Sequence, residues 1–278
     1  MIQLSQVAAA NYHYKRYSLD YFLDSVTRLG FLNIELWASG PHFHLDYFTP
    51  QDVKALQHKI KERGLKVICL TPEQHVYPVS ISHPDPEYRK RSVAFFQRHI
   101  EAAALLECDK VLVTTGIAYL DADENEAWKW CQESLSEICK TAEKEGVLLP
   151  MEAFTFYSTH VFNRAAHIAK MIREVGSPNL KGLADTDVMA TTGKDTIHDF
   201  IRELGDDLSH VHFVDGNPGG HLVPGEGKLD MDEVLKALNE IDYKGYLGLE
   251  LLDRRYILEP EIAMRDARAW FAERLGEH

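Results

Sequence analysis

Three carboxylates and one imidazole stand at intervals along the second half of the chain, each at or near the end of a short apolar run. Glu152 follows Val147-Leu148-Leu149-Pro150-Met151, Asp185 follows Leu180 to Ala184, His212 lies in His210-Val211-His212-Phe213, and Glu250 follows Tyr246 to Leu249. An oxygen-rich set with one nitrogen suits a single divalent ion such as Mn²⁺, Mg²⁺ or Co²⁺, whereas structural zinc prefers thiolates and more imidazoles. Without a cation, three carboxylates at one depth would repel each other and take up protons. His210 and His212 are expected to face opposite ways, leaving one imidazole for the set, and Asp187 is expected to point away from Asp185.

The first half contributes a looser group of polar residues near strand ends: Glu35 and Glu73, with His42, His44 and His75. Between the seventh and eighth apolar runs, Asn217-Pro218-Gly219-Gly220-His221 reads as a flexible stretch able to close over a substrate. It leads into the tight loop Val223-Pro224-Gly225-Glu226-Gly227-Lys228-Leu229, with Asp230 placed to cap the helix that follows.

These residues share one face only if the chain alternates strands and helices, and the sequence does alternate. Strands are expected at Ile2 to Ala8, Asn33 to Trp37, Lys66 to Leu70, Lys110 to Thr114, Val147 to Glu152, Leu180 to Ala184, Ser209 to Val214 and Tyr246 to Glu250. Helices fill the gaps. Ser18, Thr49-Pro50 and Asp85-Pro86 supply start signals, while Gly30, Gly64, Gly146 and Gly176 fall just past helix ends. Eight βα units give an α/β fold, a single (βα)₈ TIM barrel spanning residues 1–278, whose active site lies on the face formed by the loops after the strands. The competing doubly wound sheet lacks its G-x-G-x-x-G fingerprint.

Composition narrows the functional classes. The 278 residues are 45% hydrophobic, with 43 acids against 30 bases and a formal net charge of −13. That balance opposes binding to phosphodiester backbones, so no nucleic-acid partner is expected. No run approaches the roughly 20 apolar residues of a membrane span, so no membrane association is expected and a cytoplasmic location is the default. Cys69, Cys108, Cys131 and Cys139 stand singly, without metal or redox spacing, and read as buried thiols.

Ile34-Glu35-Leu36-Trp37 with Pro41-His42, Thr71-Pro72-Glu73 with Tyr77-Pro78, Glu152, Asp185-Thr186, His210-Val211-His212, Pro224-Gly225-Glu226-Gly227 and Glu250 together resemble the sugar phosphate isomerase/epimerase family, the xylose isomerase-like TIM barrels. The resemblance covers nearly the whole chain and is strongest toward the 3-epimerases of ketoses and ketosamines. It implies that Glu152, Asp185, His212 and Glu250 hold one divalent metal, commonly manganese. It also implies that Glu152 and Glu250 act as acid and base in inverting C3 through a metal-stabilised enediolate. The alternatives on the same metal site are an aldose/ketose isomerase and an inosose-type dehydratase. An endonuclease IV-like nuclease and a non-catalytic sugar-binding barrel rank below them. Glu35, His42, Glu73, Tyr77, Ser158 and His221 are the expected substrate-binding residues.

Two positions depart from the ketose 3-epimerase pattern. Ser158 stands where those enzymes have a Glu that holds the hydroxyl end of the substrate, and Val188 stands where they have a His. No Arg/Lys cluster or glycine-rich amide cradle marks a phosphate site on the catalytic loops, which favours an unphosphorylated sugar. Glu35, Asp46 and Glu73 are then expected to receive a cationic tail, as in a fructoselysine-like ketosamine. Trp37, Phe43, Tyr77, Tyr119 and Phe154 are candidates to pack on sugar faces. A homo-oligomer, dimer or tetramer, is expected, with the helix from Asp85 to Leu106 as a contact surface.

Overall fold

The computed structural model describes residues 1–276. Seven parallel strands form one curled sheet: β1 Val7–Ala10, β2 Asn33–Ala38, β3 Lys66–Pro72, β4 Leu149–Met151, β5 Leu180–Asp185, β6 Leu208–His212 and β7 Tyr246–Leu249. Their order is β3-β2-β1-β7-β6-β5-β4. The stretch expected as the fourth strand closes this sheet into a barrel without forming a regular strand. Leu112 donates its amide to Leu70 O at 3.0 Å on one side, and Val111 and Val113 donate theirs to Leu148 O at 2.9 Å and Pro150 O at 3.0 Å on the other. Pro150 has no N–H to return, and β4 is only three residues long, so the ladder here reduces to isolated bridges.

The first strand begins later than the sequence pattern implies. Leu4–Gln6 turns as a 3₁₀ helix, in which Gln3 N donates to Gln6 Oε1 at 2.9 Å, and the ladder starts only at Val7. Tyr12 therefore falls at the mouth of the barrel, two residues beyond β1.

Nine helices occupy the described connections: α1 Leu19–Arg28, α2 Pro50–Lys61, α3 Pro86–Leu105, α4 Glu124–Glu145, α5 Ala165–Val175, α6 Thr186–Thr192, α7 Ile197–Leu204, α8 Met231–Glu240 and α9 Pro260–Leu275. Their starts carry the anticipated caps. Ser18 Oγ accepts from Tyr21 N at 3.2 Å, Asp85 Oδ1 from Glu87 N at 2.8 Å, and Asp230 Oδ1 from Glu233 N at 3.0 Å. Gly146 and Gly176 end α4 and α5 in the left-handed conformation, both at φ 70°. The main core includes Phe22, Ile34, Leu36, Phe96, Leu135, Ile168, Val211 and Phe271, all fully buried. The four cysteines are free and buried. No helix among the described residues is long and apolar enough to cross a membrane.

Candidate metal centre

The C-terminal ends of four adjacent strands deliver the four residues singled out by type. Glu152 follows β4, Asp185 ends β5, His212 ends β6 and Glu250 follows β7. One donor atom from each lies within 4.8 Å of the others. His212 Nδ1 stands 3.1 Å from Glu152 Oε1, 3.3 Å from Asp185 Oδ2 and 2.8 Å from Glu250 Oε2. The two glutamates occupy the ends of this row and the aspartate and histidine its middle.

Local structure fixes three of the four members. Asp185 divides its carboxylate: Oδ1 accepts the amides of Asp187 at 2.6 Å and Val188 at 3.1 Å, capping α6, which leaves Oδ2 for the cluster. Glu152 is held by its amide, which donates to Val113 O at 3.0 Å. His212 is held from behind, where Nε2 lies 3.0 Å from Glu35 Oε1. Glu35 Oε2 lies 2.8 Å from His210 Nε2, and Thr71 Oγ1 donates to Glu35 Oε1 at 2.5 Å. Gly248 makes room for this carboxylate, because a Cβ on Gly248 would fall against Glu35 Oε2.

The donor set fits a divalent ion. With Nε2–H donated to Glu35, the neutral ring turns a bare lone pair at Nδ1 toward three carboxylates, so acceptor faces acceptor unless a proton or a cation lies between them. Without a cation the site resolves this by protonation. Burial disfavours the imidazolium, but the charges of Glu35, Glu250 and Glu152 outweigh it and hold His212 well above the usual histidine range. Burial, with Asp185 and Glu250 close by, pushes Glu152 up. Asp185 also feels burial, yet the His212 hydrogen bond and the charge of His221 hold it down at about 2. Glu35, although fully buried, is held low by the two imidazoles.

Glu152, Asp185 and Glu250 form part of the lining of an open cavity of about 460 Å³, while His212 is fully buried; the cavity also touches Tyr12, Lys15, Trp37, Glu73, His75, Phe154, Ser158, Asp187, Val188 and His221. Of the expected substrate-binding residues, Glu73, Ser158 and His221 line it. Glu35 does not; it is fully buried beneath the cluster, with both oxygens engaged. His42 is also buried, its ring nitrogens spent on Asn11 Nδ2 at 2.8 Å and Tyr17 O at 2.8 Å. Tyr77 faces a neighbouring cavity and spends its hydroxyl on Gly40 N at 2.9 Å.

Several further expectations are corrected. His210 and His212 share one face, both reaching Glu35, because residues two apart on a strand point the same way. Asp187 faces the cavity as Asp185 does, because β5 stops at Asp185 and the chain turns into α6. The carboxylates proposed for a cationic tail are committed elsewhere. Glu73 accepts from Trp37 Nε1 at 3.0 Å and from the amides of His75 and Val76 at 2.6 and 2.8 Å, and Asp46 pairs with Arg98 at 2.9 Å. Among the aromatic candidates Trp37 and Phe154 line the cavity, whereas Phe43 is core and Tyr119 lies on the surface.

The stretch 217–221 is pinned. Asp187 Oδ1 accepts from Gly220 N at 2.6 Å and His221 N at 3.1 Å, and stands 3.5 Å from His221 Nδ1. The loop after it is gathered by Asp215, whose oxygens accept the amides of Gly216, Gly225, Gly227 and Leu229 at 2.7 to 3.0 Å. Tyr12, Lys15 and the cavity-facing role of Asp187 escaped the sequence reading. The first two lie just beyond β1, and a register that ends β1 at Ala8 leaves them out of the strand-end group.

Comparison with known proteins agrees with this architecture. Residues 23–274 match the family described as Xylose isomerase-like TIM barrel. The chain is 27% identical over 266 residues to fructoselysine 3-epimerase of Shigella flexneri, covering 95% of this chain and 96% of that one. It is 28% identical over 240 residues to D-psicose 3-epimerase of Ruminiclostridium cellulolyticum, covering 83% and 77%. The crystal structure of D-psicose 3-epimerase with D-tagatose from Clostridium cellulolyticum H10 superposes with a TM-score of 0.81 at 22% identity, covering 98% of this chain and all of that one. With residues 23–274 matched, the chain belongs to the xylose isomerase-like TIM barrel family.

Proposed function

We propose that this isomerase requires one divalent ion, manganese in preference to magnesium or cobalt, and inverts C3 of an unphosphorylated ketose or ketosamine. The observation that carries the reading is the row Glu152, Asp185, His212, Glu250 around one imidazole nitrogen, with its three carboxylates in the lining of an open cavity. The whole chain acts as one barrel domain, and its four reduced, buried cysteines suit a cytoplasmic enzyme.

When bound, the ion supplies Lewis acidity to the substrate carbonyl and the adjacent hydroxyl oxygen. The protein's own part is proton transfer between two faces. Glu152 and Glu250 bracket the row, so a substrate lying between them presents one face of C3 to each. One carboxylate takes the C3 proton, the C–H electron pair moves toward the carbonyl oxygen, and the other carboxylate delivers a proton to the opposite face. A single base would return the proton to the face it left. Asp185 and His212 serve as ligands. His221, held by Asp187, and Ser158 contact the hydroxyl groups.

Lys15 is the one lysine or arginine among the described residues lining the cavity, which supports an unphosphorylated substrate. The carboxylates of Glu73 and Asp187 already accept from the protein, which favours a neutral ketose over a cationic ketosamine. The test is deuterium incorporation from D₂O by the Mn²⁺-loaded protein with a panel of ketoses and fructosamines. Exchange at C3 with epimer formation supports the reading, and exchange at C1 with aldose formation replaces it with aldose/ketose isomerisation.

A further inference from the structure

Tyr12 is 5% exposed and lines the cavity that holds the cluster. No other described residue makes a hydrogen bond to its hydroxyl, which sets it apart from Tyr14, Tyr77 and Tyr256, whose hydroxyls are bonded to Ser25, Gly40 and Val223. The Tyr12 ring is buried but its hydroxyl oxygen is not sealed off as that of Tyr243 is, so in the cavity wall it is open to a hydrogen bond with a ligand from outside the protein.

The ring is held in advance for such a ligand. It stacks on Trp37 with centroids 5.0 Å apart and planes 21° from parallel. Trp37 is clamped in turn by Tyr12's chain neighbour: Trp37 N donates to Asn11 Oδ1 at 2.7 Å and Asn11 Nδ2 donates to Trp37 O at 3.2 Å, while the indole Nε1 is fixed on Glu73. Burial, with the charges of Glu250 and Glu35 nearby, pushes the phenol well above its usual range, so the hydroxyl keeps its proton and is a donor. A donor facing the cavity beside a cluster of acceptors meets the oxygen of a hydroxyl or carbonyl group.

We infer that Tyr12 is a substrate-binding residue: its hydroxyl donates a hydrogen bond to an oxygen of a polyhydroxylated ligand lying over the cluster, and the Tyr12–Trp37 stack walls the ligand's carbon skeleton. That the ligand is a ketose rests on the function proposed above; the hydrogen bond itself does not.

The test is Tyr12→Phe, which keeps the ring and its stacking and removes only the hydroxyl. The Mn²⁺-loaded wild type and variant are titrated calorimetrically with D-fructose and with xylitol, a polyol that cannot react, and their Tm is compared without ligand. The expected result is an affinity about tenfold weaker for the variant with an unliganded Tm equal to or above that of the wild type, since the lost group had no partner. Equal affinities, a weaker affinity accompanied by a lower unliganded Tm, or no binding of either compound to the wild type would each overturn the inference. If the wild type shows no C3 exchange yet binds xylitol through Tyr12, the epimerase reading falls and this one stands. If C3 exchange is as fast in Tyr12→Phe as in the wild type, this one falls and the epimerase reading stands.

Discussion

His212 is held between Glu35 on one side and three carboxylates on the other: Nε2 lies 3.0 Å from Glu35 Oε1, and Nδ1 lies 2.8 Å from Glu250 Oε2. A carboxylate on the far nitrogen fixes the tautomer and the ring plane and makes the near nitrogen a better ligand. Glu35 therefore positions His212 within the candidate metal site. Glu35→Gln keeps the volume and removes the charge. Its Mn²⁺ affinity, measured by chelator competition, is expected to fall about 10- to 100-fold, and an unchanged affinity would contradict this role.

Gly248 is the steric condition for that arrangement. A methyl group there meets the Glu35 carboxylate and crowds His210 and His212. Gly248→Ala is expected to cost about 1–3 kcal/mol of stability through overpacking and to weaken metal binding along with it. Denaturant unfolding of the metal-free protein, with m-values compared, measures the first, and metal titration the second.

The cluster itself trades stability for function in the metal-free state. Burial, with Asp185 and Glu250 close by, disfavours an ionised Glu152, so a neutral amide there relieves that crowding, whereas with the ion bound the same change removes a ligand. Glu152→Gln is expected to raise Tm in EDTA and to lose most of the stabilisation that Mn²⁺ gives the wild type, which is about 2.7 kcal/mol at a free ion concentration 100 times Kd. Because His212 is held protonated without the ion and must be neutral to ligate, metal binding releases a proton and weakens as pH falls. Parallel melts across pH with and without Mn²⁺ check both statements. A lower Tm for the variant in EDTA would show that the crowding at Glu152 does not dominate.

Acid sensitivity has a second source away from the cluster. Burial holds His13 and His99 at about 4, below the ordinary value of 6.5, despite the backbone carbonyls each ring faces. The folded state then binds fewer protons than the unfolded chain between pH 6.5 and 4, so stability is full above 6.5 and is lost as pH falls through 4. The loss is on the order of 3 kcal/mol for each group. His99→Leu is expected to flatten its share of that slope in urea titrations run from pH 7 to 4, and an unchanged slope would rule out His99 as a contributor.

Much of the barrel and the four-residue cluster is legible in the sequence, because a buried parallel strand announces itself as an apolar run and the polar side chains that converge on the barrel's open face sit where the run stops. Glu152, Asp185, His212 and Glu250 all follow that rule. Glu35 follows it too and is nonetheless a supporting group, because the curl of β2, with its register shift between Ile34 and Glu35, turns the side chain under the cluster. His42 and Tyr77 lie on the expected loops but spend their polar atoms on neighbouring backbone and side chains, a choice no single-residue signal encodes. Tyr12 was hidden by a boundary: the 3₁₀ turn at Leu4–Gln6 moves β1 later along the chain, and with it the residues that reach the cavity. Asp187 and Asp215 were hidden because, the amide of Gly216 apart, their loop partners are contributed by residues 10 to 34 positions away.

The central claim is that two glutamates pass a proton across C3 of a ketose at a metal-bearing cluster. It is tested most directly by NMR of the Mn²⁺-loaded protein with unphosphorylated ketoses in D₂O, beside Glu152→Gln and Glu250→Gln. The account predicts deuterium at C3 in both substrate and epimer for the wild type, with epimer formation lost in each variant. Exchange at C1 alone, or wild-type epimer formation in either variant, would contradict it.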